Sequence, residues 1–351
     1  MATFHTVLPR QMQLARAAQQ AALRQCPRHA MWLVSRELHA RVHEPDNSPA
    51  TGVDKFRSVV AAPGELWTLA RKVREEASAN DAVFCSSEAG GIQLAAVCSE
   101  RSVRPRMAVF VHNVDRPRAR FALKWWRMAD QVDLFFACTP SQVEFLREYL
   151  KLSEDRVRLV WDHTDTRFFT PGPATPGKRR PLVVSVGLEK RDYKTLAEAT
   201  RDLDVDVRIS GFSKDAAEMA RTFPETLPDN MTRRFYSWPE LVQLYRDADV
   251  VVVSCHENRY AAGVQSVMEA MACERPIVAT ATQGLAAYLE PSAVLRTAPG
   301  DVDAMRNAIL ETLGNAGASS ERAARGHAQA LERYDLDGYV AQIRHAMRSL
   351  V

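Results

Sequence analysis

Residues 249–280 read DVVVVSCHENRYAAGVQSVMEAMACERPIVAT. The stretch opens on an unbroken β-branched run, "DVVVVSC" (249–255), and closes on a second, "PIVATA" (276–281). Between them lie a loop, "HENRYAAG", and a helical pattern, "VQSVMEAMAC". Continuous rather than alternating apolar runs mark strands buried on both faces, hence parallel strands covered by helices. Strand, helix and strand in about thirty residues make one βαβ unit. A single acid, Glu269, interrupts the apolar helix, and what it holds is the question the stretch raises.

The same alternation runs through the chain. In the first half, strands are expected at "MWLVSRE" (31–37), "DAVFCSS" (81–87), "MAVFVHN" (107–113), "LFFACT" (134–139) and "VRLVWDH" (157–163). In the second half they are expected at 181–187, 205–211, 233–237, 249–255, 276–281 and 293–298, followed by a helical tail after residue 301. Between the two series lies "TPGPATPGKRRP" (170–181), whose prolines and glycines read as a linker. The expectation is an α/β protein of two doubly wound, Rossmann-like domains facing a cleft. Residues 1–169 form the first, 182–335 the second, and 336–351 a terminal helix that packs back toward the first. Ligands in such sheets bind at the carboxyl ends of the strands.

Composition sets the class. The 351 residues are 46% hydrophobic and 25% charged, the balance of a globular protein with real cores. No apolar run approaches the roughly 20 residues that span a bilayer, and the N-terminus lacks a signal-peptide pattern. The six cysteines form no C-x-x-C pair and mostly sit in apolar stretches, which reads as reduced thiols in a cytoplasmic protein. A formal charge of +3 permits an anionic ligand or membrane surface but does not argue for nucleic acid.

The carboxyl ends of the second-domain strands carry the chemistry. Strand 181–187 leaves through Gly187 and presents Arg191 and Lys194 just before a helix. A glycine admits close backbone approach, and basic residues beside a helix start suit a phosphate or diphosphate. A turn glycine with solvated charges is the plainer reading. Gly211 ends the next strand. Ser254 ends the strand of the opening stretch, and Gly263, Val264, Gln265 and Ser266 enter its helix, whose first amides form an anion site. Glu269 lies about a turn and a half inside, placed to accept from both ribose hydroxyls, or else to cap backbone or pair with Arg275. In the first domain His112 ends a strand, either as a substrate contact or as a residue tied to a loop. Ser87, Glu88, Gly90 and Gly91 open a helix as acceptor contacts or as an ordinary cap.

The ordered set "PLVVSVGLEKRDYKTL", "LVQLYRDADVVVVS", "AAGVQSVMEAMACERPIVAT", "TQGLAAYL" and "APGDVDAMRNAILETL" resembles GT-B glycosyltransferases of the GT4 type, the glycosyl transferases group 1. The resemblance covers about residues 130–340 well and the first hundred only in pattern. It implies transfer of a sugar, with retention and without metal, from a UDP-, GDP- or ADP-sugar to a small-molecule, glycan or lipid acceptor. The donor is a substrate, and no permanently bound cofactor is implied. Glu269 would hold the donor ribose, Arg191 with Lys194 would neutralise the diphosphate, and His112 would face the transferred sugar.

Two departures matter. The family's first acid, eight positions before the second, is Ala261 here. Either Glu257 reaches the sugar from a longer loop or the amides near Gly263 and Val264 replace it, and the second reading is preferred. Glu274 and Leu188 also stand where Gly and Arg are frequent. A non-catalytic relative that binds a nucleotide or a partner protein is the alternative, and a GT-B epimerase or phosphorylase a third. Last, "RPRARFALKWWRMADQ" (116–131) interleaves cations with Phe121, Trp125 and Trp126. It reads as a helix packed on the first sheet with snorkelling basic residues, or as a peripheral contact with anionic lipid, the former preferred. Oligomeric state has no signature in the sequence.

Overall fold

The computed structural model describes residues 2–46, 48–50, 52–60, 63–100, 103–212 and 218–351. The chain divides into two compact units. The first comprises Met1–Gln19, Arg28–Trp161 and Asp337–Val351, and the second Gln20–Pro27 and Asp162–Leu336.

The first unit runs β1 (Phe4–Val7), α1 (Leu14–Ala22, whose end passes into the second unit), α2 (Ala30–Glu37), β2 (Arg41–His43), α3 (Gly52–Val60), α4 (Gly64–Glu76), β3 (Ala82–Cys85), α5 (Glu88–Cys98), β4 (Arg106–Val111), α6 (Pro117–Trp125), α7 (Met128–Gln131), β5 (Leu134–Ala137), α8 (Pro140–Leu150) and β6 (Val157–Leu159). Its six strands are all parallel, in the order β2-β1-β3-β4-β5-β6. Strands β3 and β5 are buried throughout, which is why they read as unbroken apolar runs. The core beneath α4 and α5 centres on Trp67, fully buried and edge-on to Trp126 at 5.4 Å. Each fully buried ring such as Phe84 or Phe135 stabilises the unit by about 2–3 kcal/mol. The C-terminal helix, Leu336–Arg348, belongs here from Asp337 onward. Arg344 pairs with Glu37 at 2.8 Å, Arg28 with Asp337 at 2.7 Å, and the Tyr339 ring lies 6.0 Å from Phe110.

The second unit runs β7 (Leu182–Val186), α9 (Tyr193–Thr200), β8 (Asp206–Ser210), β9 (Met231–Arg233), α10 (Trp238–Asp247), β10 (Val250–Val253), α11 (Val264–Ala272), β11 (Ile277–Thr280), β12 (Val294–Thr297), α12 (Val302–Gly314) and α13 (Ala316–Arg333). Its parallel strands follow the order β12-β11-β10-β7-β8-β9. Numbered from β7, this is the 3-2-1-4-5-6 order of the Rossmann fold, so the expected fold class stands.

Three local expectations are corrected. Residues 31–37 form α2 rather than a strand. Its buried positions, Ala30, Met31, Val34 and Ser35, fall at helical spacing, and the His29 ring accepts from the Met31 amide at 3.2 Å. The strand expected at 233–237 is Met231–Arg233, because Phe235 lies outside the sheet with 66% of its surface exposed. The strand expected at 157–163 stops at Leu159. Strands β1 and β2 were not anticipated: "FHTV" carries two polar residues, and β2 is a three-residue edge with two exposed positions.

The Pro- and Gly-rich stretch 170–181 lies inside the second unit, and the division falls between Trp161 and Asp162. Arg246 donates to both oxygens of Thr170, Asp247 accepts from Thr175, and Lys178 pairs with Asp249 at 2.7 Å. Such composition reports a lack of regular structure, not a lack of contacts.

Candidate functional site

Strand order in the second unit reverses between β7 and β10, and the carboxyl ends of these two strands meet at Gly187 and Ser254–Cys255. Arg191 and Cys255 form an isolated antiparallel bridge there. The Arg191 side chain is 3% exposed. Its Nε donates to the Val186 carbonyl at 2.9 Å, Nη1 to the Glu189 carbonyl at 3.1 Å and to the Cys255 thiol at 3.5 Å, and Nη2 to the Ser266 hydroxyl at 2.8 Å. Ser266 in turn donates to the Val186 carbonyl at 3.0 Å. One guanidinium thus joins the end of β7, the end of β10 and the first turn of α11. Among the described residues none of these partners is a carboxylate, so a permanent positive charge sits buried without a counter-ion in contact.

Two glycines clasp it. Gly187 and Gly263 both hold φ +100°, a conformation that side chains resist. A Cβ on Gly187 would lie 2.5 Å from Nη2, and one on Gly263 would lie 3.3 Å from Nη1 and 2.9 Å from Val253. Gly263 is also the N-cap of α11, and no side chain caps that helix. Its first-turn amides, those of Val264, Gln265 and Ser266 among them, lack intrahelical partners of the i−4 kind, with the helix dipole behind them. Val264 uses its amide on the Ala261 carbonyl at 3.1 Å, while the Gln265 side chain is exposed. Buried guanidinium, two glycines and an uncapped helix start make a surface suited to an anion.

Glu269 lies further along α11 and is 8% exposed. Its Oε2 accepts from the Tyr245 hydroxyl at 2.7 Å. Burial pushes its pKa up to about 7, against the pull of that hydroxyl and of the Arg191 charge. Arg275 is not its partner, since it donates to the Cys273 and Arg246 carbonyls. Ser254 donates to the Asp192 carbonyl at 2.8 Å, and Asp192 caps α9 through the Thr195 amide at 3.1 Å. Ser254 therefore anchors the start of α9 and is 1% exposed. Lys194 is exposed on the first turn of α9. Gly211 follows β8, where a Cβ would press on the Phe223 ring at 2.8 Å, and the carbonyl of the preceding Ser210 accepts from the Gly187 amide at 2.9 Å. Glu257 is exposed and accepts from the amides of Asn258 at 3.0 Å and Gln283 at 2.9 Å, which braces the loop after β11. Ala261 is 9% exposed and brings no polar group.

In the first unit, strand order reverses between β1 and β3, so the carboxyl end there falls at Val7 and Ser86. The Ser86 amide donates to the Val7 carbonyl at 3.1 Å, and Ser87 caps α5 through the Ala89 amide at 3.0 Å. Glu88 opens α5 and accepts from the amides of His112 at 3.1 Å and Asn113 at 3.2 Å. Burial alone would raise its pKa, but bonds and charge from His112 hold it at about 2. The His112 ring stacks on Phe110 at 4.7 Å, lies 3.6 Å from Glu88, and keeps 45% of its side-chain surface exposed. Sequence reasoning missed this Glu88–His112 link, as it missed Tyr245 and Cys255. An acid at a helix start facing the end of the next strand was the available signal for the first. Nothing local pointed to the other two.

Residues 183–315 match the family Glycosyl transferases group 1. A 185-residue stretch is 31% identical to D-inositol 3-phosphate glycosyltransferase of Corynebacterium aurimucosum, covering 45% of this chain and 43% of that protein. The chain is thus matched to less than half the length of that relative. Among solved structures, the α,α-trehalose 6-phosphate synthase of Burkholderia multivorans superposes with a TM-score of 0.74 at 15% identity, covering 100% of this chain and 99% of the other. Sucrose-phosphate synthase of Thermosynechococcus elongatus gives 0.72 at 16%, with 99% of each chain covered. Anabaena HepE in complex with UDP-glucose gives 0.70 at 14%, again with 99% of each. At these identities the structural likeness establishes the fold.

Proposed function

We propose, on the premise that residues 183–315 are a glycosyl transferases group 1 domain within a two-domain GT-B fold, that the protein transfers a sugar from a nucleoside-diphosphate sugar to an acceptor hydroxyl. The observation that carries this reading is the Arg191 cluster: a buried guanidinium beneath the uncapped start of α11. When the glycosidic bond breaks, its electron pair goes to the diphosphate oxygen, and negative charge grows there. A fixed positive charge and oriented amides stabilise that charge where it develops, without reorganisation at the moment of reaction.

The residue roles follow. Arg191 acts from below, setting the helix start and lending its field, because four of its five N–H donors already bond protein acceptors. Lys194, exposed on α9, supplies the mobile charge. The amides of Gly263, Gln265 and Ser266 take the phosphate oxygens and, with no acid at position 261, the sugar hydroxyls as well, while the Val264 amide stays on the Ala261 carbonyl. Glu269 accepts from the ribose while Tyr245 holds its other oxygen. His112, in the first unit, is a candidate contact for sugar or acceptor, its ring held 3.6 Å from Glu88. The step proceeds with retention and without metal, the acceptor proton passing to the departing diphosphate. The structural likeness to HepE, solved in complex with UDP-glucose, supports a UDP-sugar as the first donor to test. The work is done in the cytoplasm.

A thermal-shift panel with UDP, GDP, ADP and TDP tests the reading. The cognate nucleotide at a hundredfold over its Kd adds about 2.7 kcal/mol of stability. Glu269→Ala weakens that nucleotide by roughly 1–3 kcal/mol. A second reading, a nucleotide-binding relative without turnover, is favoured by one observation: Glu257 is spent on the loop amide of Gln283 while Ala261 offers nothing. Donor hydrolysis separates the two. Stabilisation by a nucleotide with no release from any of its sugar conjugates selects the second reading, and silence in both assays sinks both.

A further inference from the structure

We propose that α6 of the first unit docks the protein on a bilayer surface that carries anionic headgroups. The helix shows two faces. Inward, Ala122 and Leu123 are buried, and the following Trp126 packs on the core against Trp67. Outward, Phe121 and Trp125 are 49% and 66% exposed, one helical turn apart, with their rings stacked at 5.2 Å. Single exposed hydrophobic residues are ordinary, but two large rings in contact on the outer face of one short helix form an apolar patch.

Charge surrounds that patch. Arg116, Arg118, Lys124 and Arg127 are exposed around the rings. Residues 115–131 hold five basic and two acidic side chains, a surplus of three, and the entire chain carries a formal charge of +3. The segment thus carries a local positive surplus beside the rings. Part of the basic set serves the fold. Arg120 pairs with Asp115 and lies over the Phe145 and Tyr149 rings, and Lys124 Nζ sits 4.3 Å from the Tyr149 centroid. Arg127 pairs with Asp130 at 2.7 Å. The α8 acids Glu144 and Glu148 line a hollow together with the cations Arg147 and Lys151.

The chemistry favours a bilayer over an acidic protein. Cations alone would serve an acidic protein, whereas Trp and Phe at the level of basic side chains match the headgroup–acyl boundary. No helix among the described residues is long and apolar enough to cross a membrane.

Sedimentation with vesicles tests the proposal on the full chain. Wild-type protein is expected to bind vesicles containing about a third phosphatidylglycerol, to release in high salt, and to ignore phosphatidylcholine alone. Phe121→Ser with Trp125→Ser should weaken binding at least tenfold with the melting curve unchanged. Trp125→Phe keeps the ring and should keep the binding, while losing much of the blue shift in tryptophan emission that accompanies it. Absence of wild-type binding, equal binding to neutral vesicles, undiminished binding of the double variant, or preference for a single-stranded oligonucleotide over the vesicles would each overturn it.

Discussion

Glu269 keeps its proton in the fold over a range where an exposed glutamate has lost it. Its pKa is raised from 4.5 to about 7, so between those values the folded state binds more protons than the unfolded one. Stability therefore falls as pH rises through this window, and the deficit is complete above 7, on the order of 3 kcal/mol. Glu269→Gln keeps an acceptor for Tyr245 and removes the charge. It should melt above wild type at pH 8, with the difference vanishing toward pH 4, as read from urea unfolding at both. Arg191 makes the opposite test. Arg191→Ala leaves the carbonyls of Val186 and Glu189 short of a buried donor and should cost about 2–4 kcal/mol of stability. Arg191→Lys should fail to restore it, because one ammonium cannot reach three loops, and chemical denaturation shows whether it does. The placement of Arg191 just past the end of β7 was legible in the sequence, but not its burial. "LEKRDY" reads as a solvated turn, and the partners that bury it, Cys255 and Ser266, are 64 and 75 residues away.

At the scale of elements, α5 shows how a helix start and a strand end stabilise each other. Glu88 sits at the positive end of α5 and accepts from the first amides past β4. Its folded pKa is about 2 against an ordinary 4.5, so the contribution is present above 4.5 and lost as pH falls toward 2. The amount is about 3 kcal/mol, and Glu88→Gln should flatten the acid limb of the stability curve by that much. Three residues on, α5 lies so close to β4 that a Cβ on Gly91 would stand 2.5 Å from the Val109 side chain. Gly91→Ala should cost about 1–3 kcal/mol of overpacking, measurable by thermal melting. Long apolar strands such as "DVVVVSC" were legible because burial on both faces leaves a continuous run. Helix α2 and strands β1 and β2 were not, because eight residues or fewer sample too little of either period.

Over the whole molecule, the chain leaves its first unit at Trp161 and returns at Asp337. The returning helix buries Tyr339, Val340, Ile343 and Met347. Burial of each is worth roughly 1.5–3 kcal/mol, and the total rivals the net stability of a domain. Truncation after Leu336 should therefore make the first unit sensitive to limited proteolysis while leaving nucleotide stabilisation of the second intact. That the chain forms two doubly wound domains was readable from the strand series. The place of their division was not, because proline and glycine announce irregular backbone and say nothing of Arg246, Asp247 and Asp249 waiting to hold it.

The clasp of Gly187 and Gly263 around Arg191 also shapes how the protein can change. A side chain at either glycine collides with the guanidinium or strains the backbone, and loss of the arginine takes a donor from each carbonyl it serves. Single steps away from this trio are each downhill, while a coordinated exchange of all three is not forbidden by geometry. Libraries that randomise one of the positions should return almost only the parental residue. Libraries that randomise all three together are where a different solution to the same anion surface would first be found.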